Sequence, residues 1–500
     1  MSLFVRTMGV LLGLLGVTGF GFLIPAAPAG GNGKPTLRVR KDIVTLNANS
    51  PEVKSYKKAV AEMKKLPAAD KRSWEFQTKI HGWLNEFNEC EHGSWNFLPW
   101  HRAYLFYFEE ICRELSKDES FALPYWDWSA NPQVPDLFWG QDNPLNDRRS
   151  NNPPPFGRFV GQGEQVPSRD FDEFLDPTKV IKRRLLDNPD FITFGGGQNA
   201  GGELEGTPHN FVHRWVGMGA NGLGDGDMVR GGSPLDPIFW LHHCNIDRLW
   251  TEWALRHPNN TPSDQTWLKT SFRFYDRKAD PASKKVEETL DTGKLFYRYD
   301  RRGDIVVART TKPPKTLAAA VATSSPLDNA LDFDVPLTPE LRTLTTQCAL
   351  GGPYQERPTA RILVEGVKVP ENLNVSLRVF LKDSKGVTRE TPITDPRYIG
   401  SHTFFLGKSG QAHAKKGKAD LQPKDNGHGK DGHRSVSFYL NVSPALRQVY
   451  GERSLPADQK ALGVTIVPVP LFPGGKNVWQ GSIQDVRPAG VRYEVVGRQP

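Results

Sequence analysis

SPLDPIFWLHHCNIDRLW, residues 233–250, sets two adjacent histidines, His242 and His243, inside a helical run of Ile, Phe, Trp and Leu. Imidazoles buried among such neighbours cost free energy unless their ring nitrogens are satisfied. Three other stretches repeat the situation. TPHNFVH, residues 207–213, spaces His209 and His213 four apart, on one face of a helix. HRAYLFYFE, residues 101–109, opens an aromatic helix on His101, and KIHGWL, residues 79–84, carries His81 on the apolar face of another. His92 completes a set of seven histidines in two groups: His81, His92 and His101, then His209, His213, His242 and His243. Neutral imidazole is the usual protein ligand for copper, zinc, iron and nickel. A helical pair four apart is weak evidence alone. The zinc-protease version requires Glu directly after the first histidine, where this chain has Asn210. Two groups of three histidines, with no carboxylate or thiolate among the ligands, suit copper better than magnesium, calcium or structural zinc.

Around these groups the chain is globular and multi-domain. It has 500 residues, 38% hydrophobic and 24% charged, too many for one ordinary core. Four cysteines exclude a disulfide-stapled scaffold. The net charge of +8 is uneven: residues 351–500 carry 22 Lys+Arg against 13 Asp+Glu, whereas residues 30–350 carry 41 against 43. The basic excess lies away from the histidines, which argues against nucleic acid as a partner. Arg6, the uncharged run Met8–Ile24 and the small residues Ala27-Pro28-Ala29 read as a signal peptide over residues 1–29. The mature chain is then expected to be secreted or periplasmic, with no stable membrane insertion. Amphipathic patterns at Ser55–Lys65, Asp70–Phe87 and Trp100–Ser116 predict helices in a block spanning residues 30–307. Residues 308–350, which gather Pro313, Pro314, Pro326, Pro336 and Pro339, read as a linker. From Ala360 the pattern alternates, as in RILVEGVKV, NVSLRVFL, SVSFYL and GVTIVP, and predicts a β-sandwich over residues 351–500.

On the motifs at 101–109, 207–213 and 233–250, residues from about 36 to 300 resemble the tyrosinases and polyphenol oxidases of the type-3 copper family. The resemblance implies a mainly α fold: a four-helix bundle holding two copper ions, with dioxygen as co-substrate. Carried over by position, His81, His92 and His101 hold the first copper, and His209, His213 and His243 the second. His242 is then a neighbour of the site, because the family's ligand is the histidine four before the Asp, here Asp247. Cys90, two before His92, stands where several fungal members form a thioether bond to that ligand's ring. Glu205 and Asn210 fall where the family holds a water that takes a proton from an incoming monophenol. Arg214 and Arg230 fall where residues border the entrance. Tyr297 and Tyr299 resemble the tyrosine motif that closes the catalytic domain, facing Arg38 or Arg40. The β-sandwich resembles the domain that covers the copper site of plant latent enzymes until proteolysis, which implies an activating protease.

The activity so implied is oxidation of small phenolic substrates, o-diphenols to o-quinones, with ortho-hydroxylation of monophenols. The same six histidines also serve haemocyanin-like dioxygen carriers, and o-aminophenol oxidases share the chemistry. Both stay open at this point.

Overall fold

The computed structural model describes residues 37–82, 90–147, 149, 162–218, 226–229, 231–301, 315–326, 330–350, 357–369, 374–383, 386–405, 435–451, 454–471 and 479–497. The signal segment 1–29 and Arg230 lie outside these residues. Helices α1 (Pro51–Lys65), α2 (Trp74–Ile80), α3 (Phe97–Ser116), α4 (Ser168–Phe174), α5 (Phe191–Gly195), α6 (Asn210–Met218), α7 (Ile238–Arg256), α8 (Gln265–Lys269) and α9 (Val286–Thr289) build the first half. Strands β1 (Arg38–Arg40) and β4 (Tyr297–Tyr299) pair in parallel, and β2 (Ser271–Tyr275) pairs with β3 (Pro281–Lys285) antiparallel. Among the described residues no helix is long and apolar enough to cross a membrane.

The helix expected over Asp70–Phe87 is shorter at its start. Ser73 Oγ accepts from the Phe76 N–H at 3.1 Å and begins α2 at Trp74, while the Asp70 carboxylate is held in a turn by Arg72. Helix α3 begins before His101, at Phe97. Both α3 and α7 are buried on nearly every face. Among the described residues eight tryptophans, including Trp240, Trp250 and Trp253, are fully enclosed.

One buried polar cluster fixes how the two long helices stand. Arg40, fully enclosed, donates to Glu109 of α3 at 2.9 Å and to Asp247 of α7 at 3.2 Å. Tyr297 and Tyr299 both donate to Asp247, and the Arg40 guanidinium lies 3.8 Å over the Tyr297 ring. Of the two arginines left open by the sequence, Arg40 therefore meets the tyrosine pair.

The stretch read as a linker is corrected over most of its length. It contains β5 (Lys315–Val321), β6 (Thr323–Pro326), β7 (Leu331–Pro336) and α10 (Pro339–Ala349). Three of the prolines that suggested a linker stand at element ends, Pro326 and Pro336 closing strands and Pro339 opening α10 behind the Thr338 cap, while Pro313 and Pro314 lie outside the described residues. The Ala-rich β5 shows no apolar alternation because its inner face is made of alanines. Strands β8 (Thr359–Lys368), β9 (Val375–Leu381), β10 (Tyr398–Thr403), β11 (Ser435–Asn441), β12 (Ala461–Pro470) and β13 (Gly490–Gly497) follow, with helix α11 (Ser443–Tyr450) between β11 and β12. They form two sheets, ordered β10-β9-β12-β7-β6 and β11-β8-β13-β5. Apolar residues from both sheets, such as Phe333, Ile362, Val379 and Val464, make one core between them.

The sandwich meets the helical half through two of its sheet edges. Gly201 forms a parallel bridge to Phe438 of β11, giving its N–H to Ser437 O at 2.9 Å and accepting from the Tyr439 N–H at 3.0 Å. Along β10, Ser401 O accepts from Thr207 and Thr403 O from the Asn210 amide. The approach is so close at Gly206 that a Cβ there would lie 2.2 Å from His402 Nδ1, and the His402 ring is stacked flat on Phe438 at 3.8 Å. Two buried arginines of the sandwich reach across: Arg378 grips both oxygens of Glu173, and Arg361 meets Asp190 at 2.8 Å.

Candidate dinuclear metal centre

Helices α2, α3, α6 and α7 each deliver histidines to one buried point. His81 caps the C-terminus of α2, His101 lies in the second turn of α3, His213 is on α6, and His242 and His243 are on α7. His209 ends a π-helical turn, Glu205–His209, that runs directly into α6. His92 is carried by a loop. The ligand-capable atoms of His81, Cys90, His92 and His101 lie within 4.8 Å of one another, as do those of His209, His213, His242 and His243. The two groups touch: the His101 and His243 rings are stacked with centroids 4.3 Å apart.

For the rings other than His243, hydrogen bonds mark which nitrogen is engaged. Nδ1 of His81 donates to Gly231 O at 3.0 Å, of His101 to Phe97 O at 2.8 Å, and of His213 to Met228 O at 2.8 Å. A carbonyl oxygen only accepts, so each of these rings keeps its lone pair on Nε2. His209 Nδ1 meets the Asn210 amide oxygen at 2.9 Å, and that amide is oriented by its own donation to Thr403 O. His92 Nδ1 meets Glu205 at 3.1 Å. Oxygen partners on Nδ1 are the usual support of metal-bound histidines. The Nε2 atoms of His92, His209 and His242 are buried with no hydrogen-bond partner, an expense that a metal ion removes where the nitrogen carries a lone pair.

His242 differs from the rest. The Trp128 indole N–H, which can only donate, points at His242 Nδ1 at 3.1 Å. The proton of a neutral His242 ring is therefore on Nε2, where a metal would need a lone pair. Burial lowers the pKa of all seven rings, that of His81 to about 4, so they are neutral at ordinary pH, as metal ligation requires. An all-nitrogen donor set, with Nδ1 partnered in His81, His92, His101, His209 and His213 and left without a hydrogen-bond partner in His243, fits copper.

The residues around these rings are engaged by neighbours. Glu205, nearly buried, accepts from the Gly93 N–H at 2.8 Å as well as from His92, and burial pushes its carboxyl up to about 8. Arg214, expected at the entrance, is fully enclosed. It donates to Asn374 of the sandwich half at 2.6 Å, its Nε and Nη1 have no hydrogen-bond partner, and burial lowers its pKa to about 9. Phe405, two residues past β10, lays its ring against His92, His209 and His213 at centroid distances of 5.2, 5.9 and 4.5 Å. Sequence reasoning missed Phe405, whose only signal is a Phe-Phe pair ending a strand of unremarkable pattern. It also missed Trp128, whose role depends on a contact 114 residues away.

Residues 71–256 match the common central domain of tyrosinase, and residues 262–314 match the polyphenol oxidase middle domain. A tyrosinase from Hahella sp. (strain CCB-MM4) is 30% identical over 363 residues, covering 61% of this chain and 74% of that protein. The chain belongs to the tyrosinase and polyphenol oxidase family. Among its polyphenol oxidase relatives, the chloroplastic enzyme of Malus domestica is 29% identical over 376 residues, 66% of this chain and 62% of the apple protein. The chain thus spans less than two thirds of that relative. Its fold is also that of a latent aurone synthase, a polyphenol oxidase, with TM-score 0.63 at 23% identity over 95% of this chain and 94% of the other. Latent apple tyrosinase aligns over 95% and 98% with TM-score 0.59 at 22% identity, so the shared fold includes the sandwich.

Proposed function

We propose that this chain oxidises o-diphenols to o-quinones with dioxygen, and hydroxylates monophenols, on two copper ions held by His81, His92 and His101 and by His209, His213 and His243. The observation that carries the reading is the gathering of histidine ligand atoms in two touching groups, with the Nδ1 lone pair of His242 engaged by the Trp128 N–H. Copper, when bound, supplies the electron transfer between dioxygen and phenol. The protein supplies position and dryness. Asn210 and the carbonyls of Gly231, Phe97 and Met228 hold the rings, and enclosure by aromatic side chains excludes water. Glu205 orients His92, and in its ionised form it is assigned the role of taking a phenolic proton.

In this reading the chain is latent as it stands. Phe405 covers three of the rings, and the sandwich also ties up Asn210 through Thr403 and Arg214 through Asn374. Its displacement frees the Asn210 amide to hold water beside Glu205. The same step bares the Arg214 guanidinium, which favours carboxylated phenols by charge-assisted pairing. Arg230 is assigned to the same entrance by its place in the motif. Cys90, buried beside His92, is assigned the thioether crosslink that fixes the loop-borne ring. The signal segment directs the chain to the periplasm or outside the cell, where a protease acts on it.

The test is oxygen uptake on catechol and tyramine, with copper measured per chain, before and after the sandwich is displaced. Two coppers and quinone formation are expected. Two coppers with reversible oxygen binding but no turnover would indicate a carrier instead.

A further inference from the structure

The sandwich has four edge strands, β10, β6, β11 and β5. An open edge offers unpaired backbone groups to any passing strand, so folded proteins cover, shorten or charge their edges. The carbonyls of β10 accept from Thr207 and Asn210, and β11 is bridged to Gly201. Strand β6 has four residues and ends on Pro326. Among the described residues nothing pairs with the outer side of β5. It has seven residues, and from Thr316 to Pro326 the chain bears no charge.

The register shows which groups face outward. Ala322 donates to Val491 O, and the pairs Ala320–Tyr493 and Ala318–Val495 follow in step, so these residues spend their backbone groups on β13. The N–H and C=O of Ala319 and Val321 therefore point away from the sheet. Ala318 and Ala320 pack inward on the sandwich core, whereas Val321 is 63% exposed, the most exposed large apolar side chain among the described residues. The register shift opposite Leu317 bends the start of the strand, which confines the open template to about Ala318–Ala322.

We propose that β5 is a dimerisation edge, on which two copies of this chain pair antiparallel about a twofold axis through Ala320. That axis sets Ala319 of each copy opposite Val321 of the other. Both outward donors and both outward acceptors then find partners, and each exposed Val321 is covered by an alanine methyl. Small, neutral residues let identical strands approach without like-charge repulsion. A neutral alanine strand has no charged groups with which to select a basic or acidic peptide, so a second copy is the partner it fits.

Sedimentation velocity on the full-length holoprotein is expected to move from one-chain to two-chain mass as concentration rises through the micromolar range. Val321→Lys places a charge on the contact. Ala319→Pro removes an outward donor while sparing the β13 ladder. Both variants are expected to keep one-chain mass at the same concentrations, with unchanged copper content and catechol turnover. Hydrogen exchange at Ala319 and Val321 of the unaltered protein should slow with concentration, a readout that needs no variant. A single-chain mass throughout overturns the proposal, as does a dimer that survives both substitutions. Exchange already slow in dilute protein would mean that the chain's own segments cover the edge, which overturns it equally.

Discussion

At the scale of single residues, Trp128 separates two adjacent imidazoles that sequence alone distinguishes only by family position. His243→Ala is expected to lower copper toward one ion per chain and abolish oxidation. His242→Ala should keep both ions and lose ~10–100-fold in rate, the usual cost of a residue that supports ligands. Copper analysis with oxygen uptake checks both, and a reversed pattern would move the ligand to His242. Glu205 is held by Gly93 and His92, so Glu205→Gln should slow tyramine hydroxylation far more than catechol oxidation. Equal loss on both would leave it an orienting role only. Asp170 gives a pH signature. It is buried, its Oδ1 has no hydrogen-bond partner, and burial raises its pKa from 3.8 to about 6. The folded state thus holds the proton more tightly than the unfolded chain. No penalty exists below about pH 4, it grows between about pH 4 and 6, and it is constant above that. Asp170→Asn should therefore stabilise by ~1–3 kcal/mol at pH 7 and by almost nothing at pH 4, read from paired thermal melts.

At the scale of elements, legibility followed pattern strength. Helices α3 and α7 were readable because apolar residues recur at helical spacing over 20 and 19 residues. Strands β8, β9, β11 and β12 showed in their β-branched runs. Strand β5 did not, since alanine favours neither period, and β10, reading YIGSHT, hides its pattern behind Gly400 and Ser401. The clustering of the histidines was legible because buried imidazoles are rare and grouped. Phe405 was not, because its meaning depends on where β10 docks. That docking predicts that Phe405→Ala raises the turnover of small catechols in the uncut chain, with copper unchanged. A variant as slow as its parent would show that the aromatic ring is not the obstruction.

At the scale of the whole molecule, cutting the chain and releasing the sandwich are separate events. Of the basic residues in and near the stretch 308–350 at which trypsin could cut, Arg309 and Lys312 lie outside the described residues, whereas Lys315 begins β5 and Arg342, within α10, bonds to Ala457 O. Arg378–Glu173 and Arg361–Asp190 are buried pairs, and breaking one by removing a partner typically costs ~3–5 kcal/mol. A chain cut between 302 and 314 should therefore keep its fragments together in gel filtration and stay slow. Adding Arg378→Met should let them part and the rate rise. Full activation by the cut alone would show that these pairs do not hold the sandwich down. The meeting of Gly206 and His402 carries this further, into descent. Because the stacked His402 ring cannot retreat from a methyl group at 206, a single codon change to alanine would disturb the seat of the sandwich while leaving every histidine codon of the two groups intact. If the sandwich shields the site as proposed, an always-open form is one mutational step from a shielded one, and a lineage that needs restraint must keep this glycine against that drift.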